Sequence, residues 1–429
     1  MRYRNTILTG LFTLIVLILL SIKVSYIIQE KSFERRMLEA KNNNASNVYL
    51  MIMDSADPDI IDYLIENDQL PNFKKLKEEG AYGRLESFSM PHYHPEHGTY
   101  YRIYSLPVIA TMFTGVGPDK HGMVSHIFNE EGPDSYYAFT EMGVPALWNY
   151  FDEYDKSSIV VGTLGNYPVD YIFGYIISGE YIKKQIALRS LDSINLKYSL
   201  DFAFPDSEIL SPSWLKGDIQ EKIVPEKKAT ENFFDRGFEE DFPDTTEKYY
   251  IDKNKEVLEK LPNRLQLEFA TKILEDNETA FYVFYDDLNT MTLSSQLYKK
   301  YKPGLFIEYL VGLDYFSNLY HTYEYTNYSD LNSSLFKYYY FYDEHIGEVI
   351  NSMRNNDILI IVSDHGALEL QSIEGYRFGN HRKLYGIVYL YGGDIRPHTI
   401  LNASVYNIAP SVLYYANMSL KEEMYEPII

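Results

Sequence analysis

The chain of 429 residues has no cysteine, which excludes a disulfide scaffold, a thiolate nucleophile and any Cys-ligated zinc or iron–sulfur site. A metal would have to be held by His, Asp, Glu, Asn or hydroxyl groups. Cations are also scarce, with 39 Lys plus Arg against 61 Asp plus Glu and a formal net charge of -22. No nucleic-acid partner is expected of so acidic a chain, because phosphate binding needs a basic stripe to release counterions. An anionic small substrate would need local positive charge. The composition is 45% hydrophobic and 23% charged, which excludes global disorder. The length suits one large α/β domain with insertions or two to three smaller domains, and either buries a substantial core.

Long hydrophobic runs are absent except at the beginning. Residues 7–28 form an apolar stretch interrupted only by Lys23, whose side chain can snorkel, and its 22 residues suffice to span a bilayer. Ser21 and Ser25 are poorly placed for a small-x-small cleavage site, so a retained signal-anchor is expected. Arg2 and Arg4 favour a cytoplasmic tail of residues 1–6, with Lys31, Arg35 and Arg36 weakening that bias. Residues 29–46 read as a polar stalk ending in an Asn-rich linker, and the remainder, 47–429, as an extracytoplasmic catalytic domain. Six Asn-x-Ser/Thr sequons, at Asn44, Asn277, Asn327, Asn332, Asn402 and Asn417, are compatible with export but carry little weight in so Asn-rich a chain.

Within 47–429, three apolar runs each lead into an aspartate: Val48–Met53 before Asp54, Phe306–Leu313 before Asp314, and Ile358–Ser363 before Asp364. Ala280–Tyr285 before Asp286 has the same form, without a histidine nearby, and is read as a further strand. Near-continuous runs of this length predict strands covered on both faces. Helical spacing over 57–66, 71–79, 147–154 and 333–353 alternates with them, giving an α/β fold with a mostly parallel sheet. Ligands of such sheets bind outside the carboxyl ends of the strands, where Asp54, Asp314 and Asp364 would fall. Singly, an aspartate after a strand is most often a cap or turn residue. Several together, with His365 directly after Asp364 and His381 16 residues later, point to a metal site. Carboxylates with imidazoles suit Zn²⁺, and Mn²⁺ or Mg²⁺ as ligands become all oxygen. Ser105 opens a helical segment with Pro107 in its first turn, as a cap or as a nucleophile whose alkoxide the helix terminus and a cation would stabilise.

Asp54 after a strand, the segment Ser105-Leu-Pro-Val-Ile-Ala-Thr-Met-Phe-Thr-Gly-Val-Gly-Pro-Asp-Lys-His-Gly122, Asp314, Ser363-Asp-His-Gly366 and Gly379-Asn-His381 together resemble the type I phosphodiesterase/nucleotide pyrophosphatase family of the alkaline phosphatase superfamily. Order and spacing correspond over roughly residues 47–418, apart from a variable middle of about 170–285. The resemblance implies an alkaline-phosphatase-like sheet with helices on both faces and a hydrolase using two divalent metal ions. Asp54, Ser105, Asp364 and His365 would ligate one ion, expected to be zinc, and Ser105 would be the nucleophile. Asp314, His381 and the residue four positions after Asp314 would ligate the other. That residue is Asn318 where the family usually has histidine, so the second site should be weaker or take Mn or Mg. His321, one turn further on, is read as a surface or packing residue. His121 is expected to be structural, Ser55 stands where the family often has glycine, and Asn407 stands where an aspartate is common and is read as a helix-cap exchange.

The histidines of Pro91-His-Tyr-His-Pro-Glu-His-Gly98 lie among residues that break regular structure and are read as an exposed loop. No base-stacking platform stands out among 42 tyrosines. The expected activity is metal-dependent hydrolysis of a phosphodiester or pyrophosphate bond in a small-molecule or lipid substrate, through a phospho-serine intermediate. The alternatives are a phosphotransferase acting on lipid or glycan head groups and a degenerate membrane-anchored binding protein. A sulfatase is disfavoured by Ile109 where its motif needs arginine, and a cofactor-independent phosphoglycerate mutase by the anchor. The anchor has a direct test: protease added to intact cells should digest the large domain, and complete protection would reverse the orientation.

Overall fold

The computed structural model describes residues 2–41, 47–94, 98–124, 142–187, 206–238, 263–323, 331–373 and 376–429. The chain divides into two units, Met1–Asn44 and Ala45–Ile429. The first contains one helix, Arg2–Ala40. Its apolar side chains, including Leu14, Leu17, Leu20 and Ile28, are exposed, and among the described residues it is the one helix long and apolar enough to cross a membrane. The first part of the stretch read as a polar stalk is helical as far as Ala40, because Glu, Arg, Met, Leu and Ala are strong helix formers and Arg35 pairs with Glu39 one turn on at 3.5 Å. The rest of the stalk, 42–46, lies outside the described residues.

In the second unit the described strands, in chain order, are β1 (Val48–Met53), β2 (Ala81–Glu86), β3 (Met90–His94), β4 (Gly98–Arg102), β5 (Ser158–Val161), β6 (Gly174–Ile177), β7 (Leu210–Ser211), β8 (Leu305–Leu310), β9 (Ile358–Val362), β10 (Leu368–Ile373), β11 (Tyr376–Arg382), β12 (Tyr385–Gly392) and β13 (His398–Ser404). Nine form one sheet in the order β13-β2-β12-β9-β1-β8-β5-β6-β7. Its centre, β9-β1-β8-β5-β6, is parallel throughout. β12 runs antiparallel to both β9 and β2. The middle segment supplies β6 and β7 at one edge, so part of it belongs to the sheet.

Strand alternation divides the core. Val48, Leu50 and Ile52 of β1, Leu305 and Ile307 of β8, and Ile358 and Ile360 of β9 pack in one cluster with the helices Ser105–Thr114, Leu147–Glu153 and Ile408–Tyr415. On the other face Tyr49 stacks on Phe306 with ring centroids 4.7 Å apart and meets Tyr298 edge-on at 4.8 Å. Tyr298 belongs to the helix Asn263–Tyr301. A sheet covered this way exposes no alternating polar face, which is why its central strands are apolar at every position except Glu308.

Several elements differ from the sequence reading. Ala280–Tyr285 is not a strand but part of the helix Asn263–Tyr301. Six consecutive apolar residues fit either period, and buried Met291, Leu293 and Leu297 continue the pattern far beyond strand length. The strand expected over Phe306–Leu313 ends at Leu310, and Gly312 already begins the helix Gly312–Tyr323, so Asp314 sits in a first helical turn. The segment read as a histidine-bearing loop forms the β3–β4 hairpin, pairing His92 with Tyr100 and His94 with Gly98; Pro95, Glu96 and His97 lie outside the described residues. Ser105 does not cap its helix but is the first helical residue, after Tyr104 at the cap position. Asn407 does stand at the cap of Ile408–Tyr415, yet its side chain bonds elsewhere: Oδ1 accepts from Ser404 N and Nδ2 donates to Glu426 O at 2.8 Å. An aspartate has no proton for that second bond.

Candidate metal centre

β1 and β9 are parallel neighbours with Ile52 opposite Val362, so the residues after them, Asp54 on one chain and Ser363–Ala367 on the other, emerge at the same edge. Side chains bind the two loops together. Ala56 N donates to Ser363 Oγ at 2.9 Å, Ser363 Oγ to His365 O at 2.6 Å, and Ser55 Oγ to Gly366 O at 3.2 Å. Buried Asp57 accepts from Ala367 N at 3.2 Å and from Lys383 Nζ at 2.9 Å, adding the segment just after β11. Ser55 has φ 68, the left-handed region where glycine is unstrained. Its hydroxyl bond to Gly366 offsets that strain.

The bracing brings Asp54, Asp364 and His365 together, with one candidate ligand atom from each lying within 4.8 Å of the others and all three residues buried. His365 Nε2 is 3.3 Å from Asp54 Oδ1, 3.2 Å from Asp364 Oδ2 and 3.3 Å from Ser105 Oγ. His365 Nδ1 lies 2.9 Å from Gly366 O. A carbonyl only accepts, so Nδ1 carries the proton and, in the neutral ring, Nε2 turns its lone pair toward the carboxylates. Lone pairs of a nitrogen and two carboxylate oxygens converge there in a buried space, where a proton on Nε2 or a cation among them would relieve the repulsion. The donor set, two carboxylates, an imidazole oriented by a backbone carbonyl and a hydroxyl, therefore fits a divalent metal of the zinc type.

Tyr309, which the sequence reading passed over, donates its hydroxyl to Asp54 Oδ2. Burial, reinforced by the charges of Asp54 and Asp364, pushes its phenol far up, so it remains a proton donor. Strand alternation was the available signal: Tyr309 shares a face with Leu305 and Ile307, the face toward the Ser105 helix. Asp57, Lys383 and Ser363 carried no such signal, because their partners are set by tertiary contacts.

Asp314 and Asn318 lie one turn apart on the helix Gly312–Tyr323, and Asn318 Nδ2 donates to Asp314 Oδ2 at 3.2 Å. Ser317 Oγ approaches Ser55 Oγ at 3.5 Å, relating this helix to the Asp54 loop. His381 lies on β11 opposite Glu369, and its side chain, like that of His321, is outside the described set. Among the described side chains, Asp54, Ser105, Asp364 and His365 thus form one cluster and Asp314 with Asn318 a second pair. His121 stands apart, as expected. Met123 N donates to its Nδ1 at 3.0 Å, and its Nε2 lies 3.0 Å from Thr111 Oγ1, fastening the Pro118–His121 turn to the Ser105 helix. Burial lowers its pKa to about 4.

The large parallel sheet flanked by helices, with acidic loops at its carboxyl edge, is an alkaline-phosphatase-like α/β fold. Residues 48–382 match the model of the type I phosphodiesterase / nucleotide pyrophosphatase family, and the chain belongs to that family. Membership indicates a phosphoester hydrolase of the alkaline phosphatase superfamily. Among solved structures, wild-type alkaline phosphatase PafA is similar at 9% identity and a TM-score of 0.51, over 90% of this chain and 98% of that one. An alkaline phosphatase superfamily protein from Vibrio parahaemolyticus gives 13% identity and a TM-score of 0.40, over 93% and 78%. Phosphonoacetate hydrolase from Sinorhizobium meliloti 1021 gives 12% identity and a TM-score of 0.40, over 76% of this chain, which spans 58% of that enzyme's length. Comparison with curated protein sequences gives no match.

The buried neutral state of His121 has a measurable consequence. An unfolded histidine takes up a proton near its ordinary pKa of about 6.5 while the folded one resists until about 4. Its contribution to stability is therefore complete above the unfolded value and is lost as pH falls through that window. Urea unfolding should show the wild type losing stability between pH 7 and pH 5 more steeply than His121→Gln, with catalytic turnover per folded molecule retained in the variant. Loss of bound metal from His121→Gln would instead make His121 a ligand.

Proposed function

We propose that the chain hydrolyses a phosphodiester or pyrophosphate bond with Ser105 as nucleophile, in a catalytic domain of residues 47–429 held outside the cytoplasm by a membrane-spanning segment at 7–28. The observation that carries this reading is the Ser105 hydroxyl, on the first residue of a buried ten-residue helix, 3.3 Å from His365 Nε2 in the cluster with Asp54 and Asp364. Asp54, Asp364, His365 and Ser105 would hold one divalent cation, with Asp314, Asn318 and His381 assigned to a second. Bound there, such ions lower the pKa of the serine hydroxyl and neutralise phosphate charge.

The remaining steps belong to the chain's own groups. The positive end of the helix dipole favours the Ser105 alkoxide and an anionic phosphoryl group beside it. Ser105 Oγ gives up its proton to solvent and forms a bond to phosphorus as the bond to the leaving oxygen breaks, and that oxygen takes up a proton from solvent as it departs. Water then cleaves the Oγ–P bond, releasing the phosphoryl product and restoring the serine. Tyr309 holds Asp54 in one orientation throughout, and the Gly366 carbonyl does the same for His365. The overall charge of -22 is no obstacle, because the charges that meet the substrate are local.

Ser105→Ala should lower turnover by at least about 10³-fold while leaving the melting temperature within a few degrees. Labelled substrate trapped by acid quench should mark the wild type on Ser105 and leave the variant unmarked. A folded variant of near-normal turnover would overturn the phospho-serine route. As assigned, the second site would have one carboxylate and one imidazole beside a neutral amide, so mild chelation should empty it first. Asn318→His should strengthen zinc binding there and raise activity at low zinc; equal affinities at both sites in the unmodified protein would contradict this.

A further inference from the structure

The corner between β8 and the helix Gly312–Tyr323 has no cap of its own. Val311, the residue before the helix, has no side-chain oxygen to receive its first amides. The acceptor comes from the helix Asn263–Tyr301, whose buried Asp287 takes Val311 N on Oδ1 at 3.1 Å and Gly312 N on Oδ2 at 2.9 Å. Two tyrosines of the helix Ser334–Ser352 complete the shell, Tyr338 Oη donating to the same Oδ2 at 2.8 Å and Tyr342 Oη at 2.6 Å. Gly312 N also reaches Tyr342 Oη at 3.1 Å.

One carboxylate therefore joins three helices at the point where the chain leaves the sheet. Space there is tight: a Cβ on Gly312 would clash with Tyr338 Oη and Asp287 Oδ2. Burial pushes the Asp287 carboxyl up to about 6, and its four donors keep it from rising further. The anion also lies at the positive end of the helix dipole. Two residues beyond Gly312 is Asp314, and one turn further is Asn318.

We propose that Asp287 is a positioning residue for the second metal site, fixing the direction in which the Asp314 carboxylate and the Asn318 amide leave the sheet edge and so setting that site's affinity. This rests on the assignment of Asp314 as a metal ligand. Removing groups that orient ligands weakens metal binding by roughly 10- to 100-fold in general. The loss should fall on one site alone, because Asp54, Asp364 and His365 are braced through Asp57, Ser363 and Tyr309.

The test is titration of chelator-stripped full-length protein with Zn²⁺ against a competing chromophoric chelator, with circular dichroism melting of the metal-free form. In Asp287→Asn one affinity should fall by at least about tenfold and the other should stay within about twofold. Tyr342→Phe, which leaves Asp287 its other three donors, should weaken the same site by a smaller factor, and it decides the matter if Asp287→Asn does not fold. Asp314→Asn identifies the affinity that belongs to this site. If Asp314→Asn abolishes one site while Asp287→Asn and Tyr342→Phe leave both affinities unchanged, positioning by Asp287 is wrong and Asp314 remains a ligand. If Asp314→Asn changes neither affinity, the ligand assignment fails and the proposal with it. Equal weakening of both sites, or a lowered melting temperature with both affinities intact, shows that Asp287 serves the fold alone.

Discussion

Two buried carboxylates, Asp54 and Asp364, share one imidazole at the carboxyl edge of the sheet, and the local structure is arranged around that concentration of negative charge. Like charges about 4 Å apart repel by about 4 kcal/mol at the effective dielectric of a protein site, and desolvation adds to that. Repulsion of that size is eased by hydrogen-bond donors to the carboxylates and by positive charge, a proton or a cation, between them. Tyr309 and the Ser55 amide supply donors to these two carboxylates, while Asp57 and Ser363 lock the loops that carry them. The fold thus gathers buried negative charge at one edge of the sheet inside a strongly acidic protein.

The parallel order β9-β1-β8 makes this economical. Three adjacent strands pointing the same way deliver Asp364, Asp54 and, one helical turn later, Asp314 to the same edge without long connecting loops. The Ser105 helix packs all ten of its residues into the core on one face, so its first residue is held by burial along its whole length. On the opposite face Tyr338 and Tyr342 reach up from a different helix to meet Asp287. Tyrosine suits that role because its ring fills the core while its hydroxyl satisfies a buried acceptor.

Much of the architecture is legible in the amino-acid sequence. Apolar runs marked β1 and β9 closely, since a strand covered on both faces must be apolar at nearly every position. The helices Pro58–Glu66, Pro71–Glu79 and Ser334–Ser352 appeared in their periodicity, with Asp57 and Ser333 supplying side-chain caps to the first and last. Asp54, Asp364 and His365 were legible because short-range order, a strand followed by a charged residue, fixes their position once the strands are parallel. Ala280–Tyr285 was not, because six apolar residues satisfy two periods at once and only the packing of the whole 39-residue helix decides between them.

What the sequence determined, then, were the central strands β1, β8 and β9, the apolar N-terminal helix and the acidic residues that follow those strands, all consequences of local periodicity and of side-chain polarity. What the tertiary structure alone decided were partnerships over long separations. Tyr309 turning to Asp54, Asp57 meeting Ala367 and Lys383, and Asp287 receiving Val311 and Gly312 join segments that no local pattern relates. The physical reason is that a hydrogen bond to a buried carboxylate depends on which element stands opposite it, and that is set by how the helices pack on the two faces of the sheet.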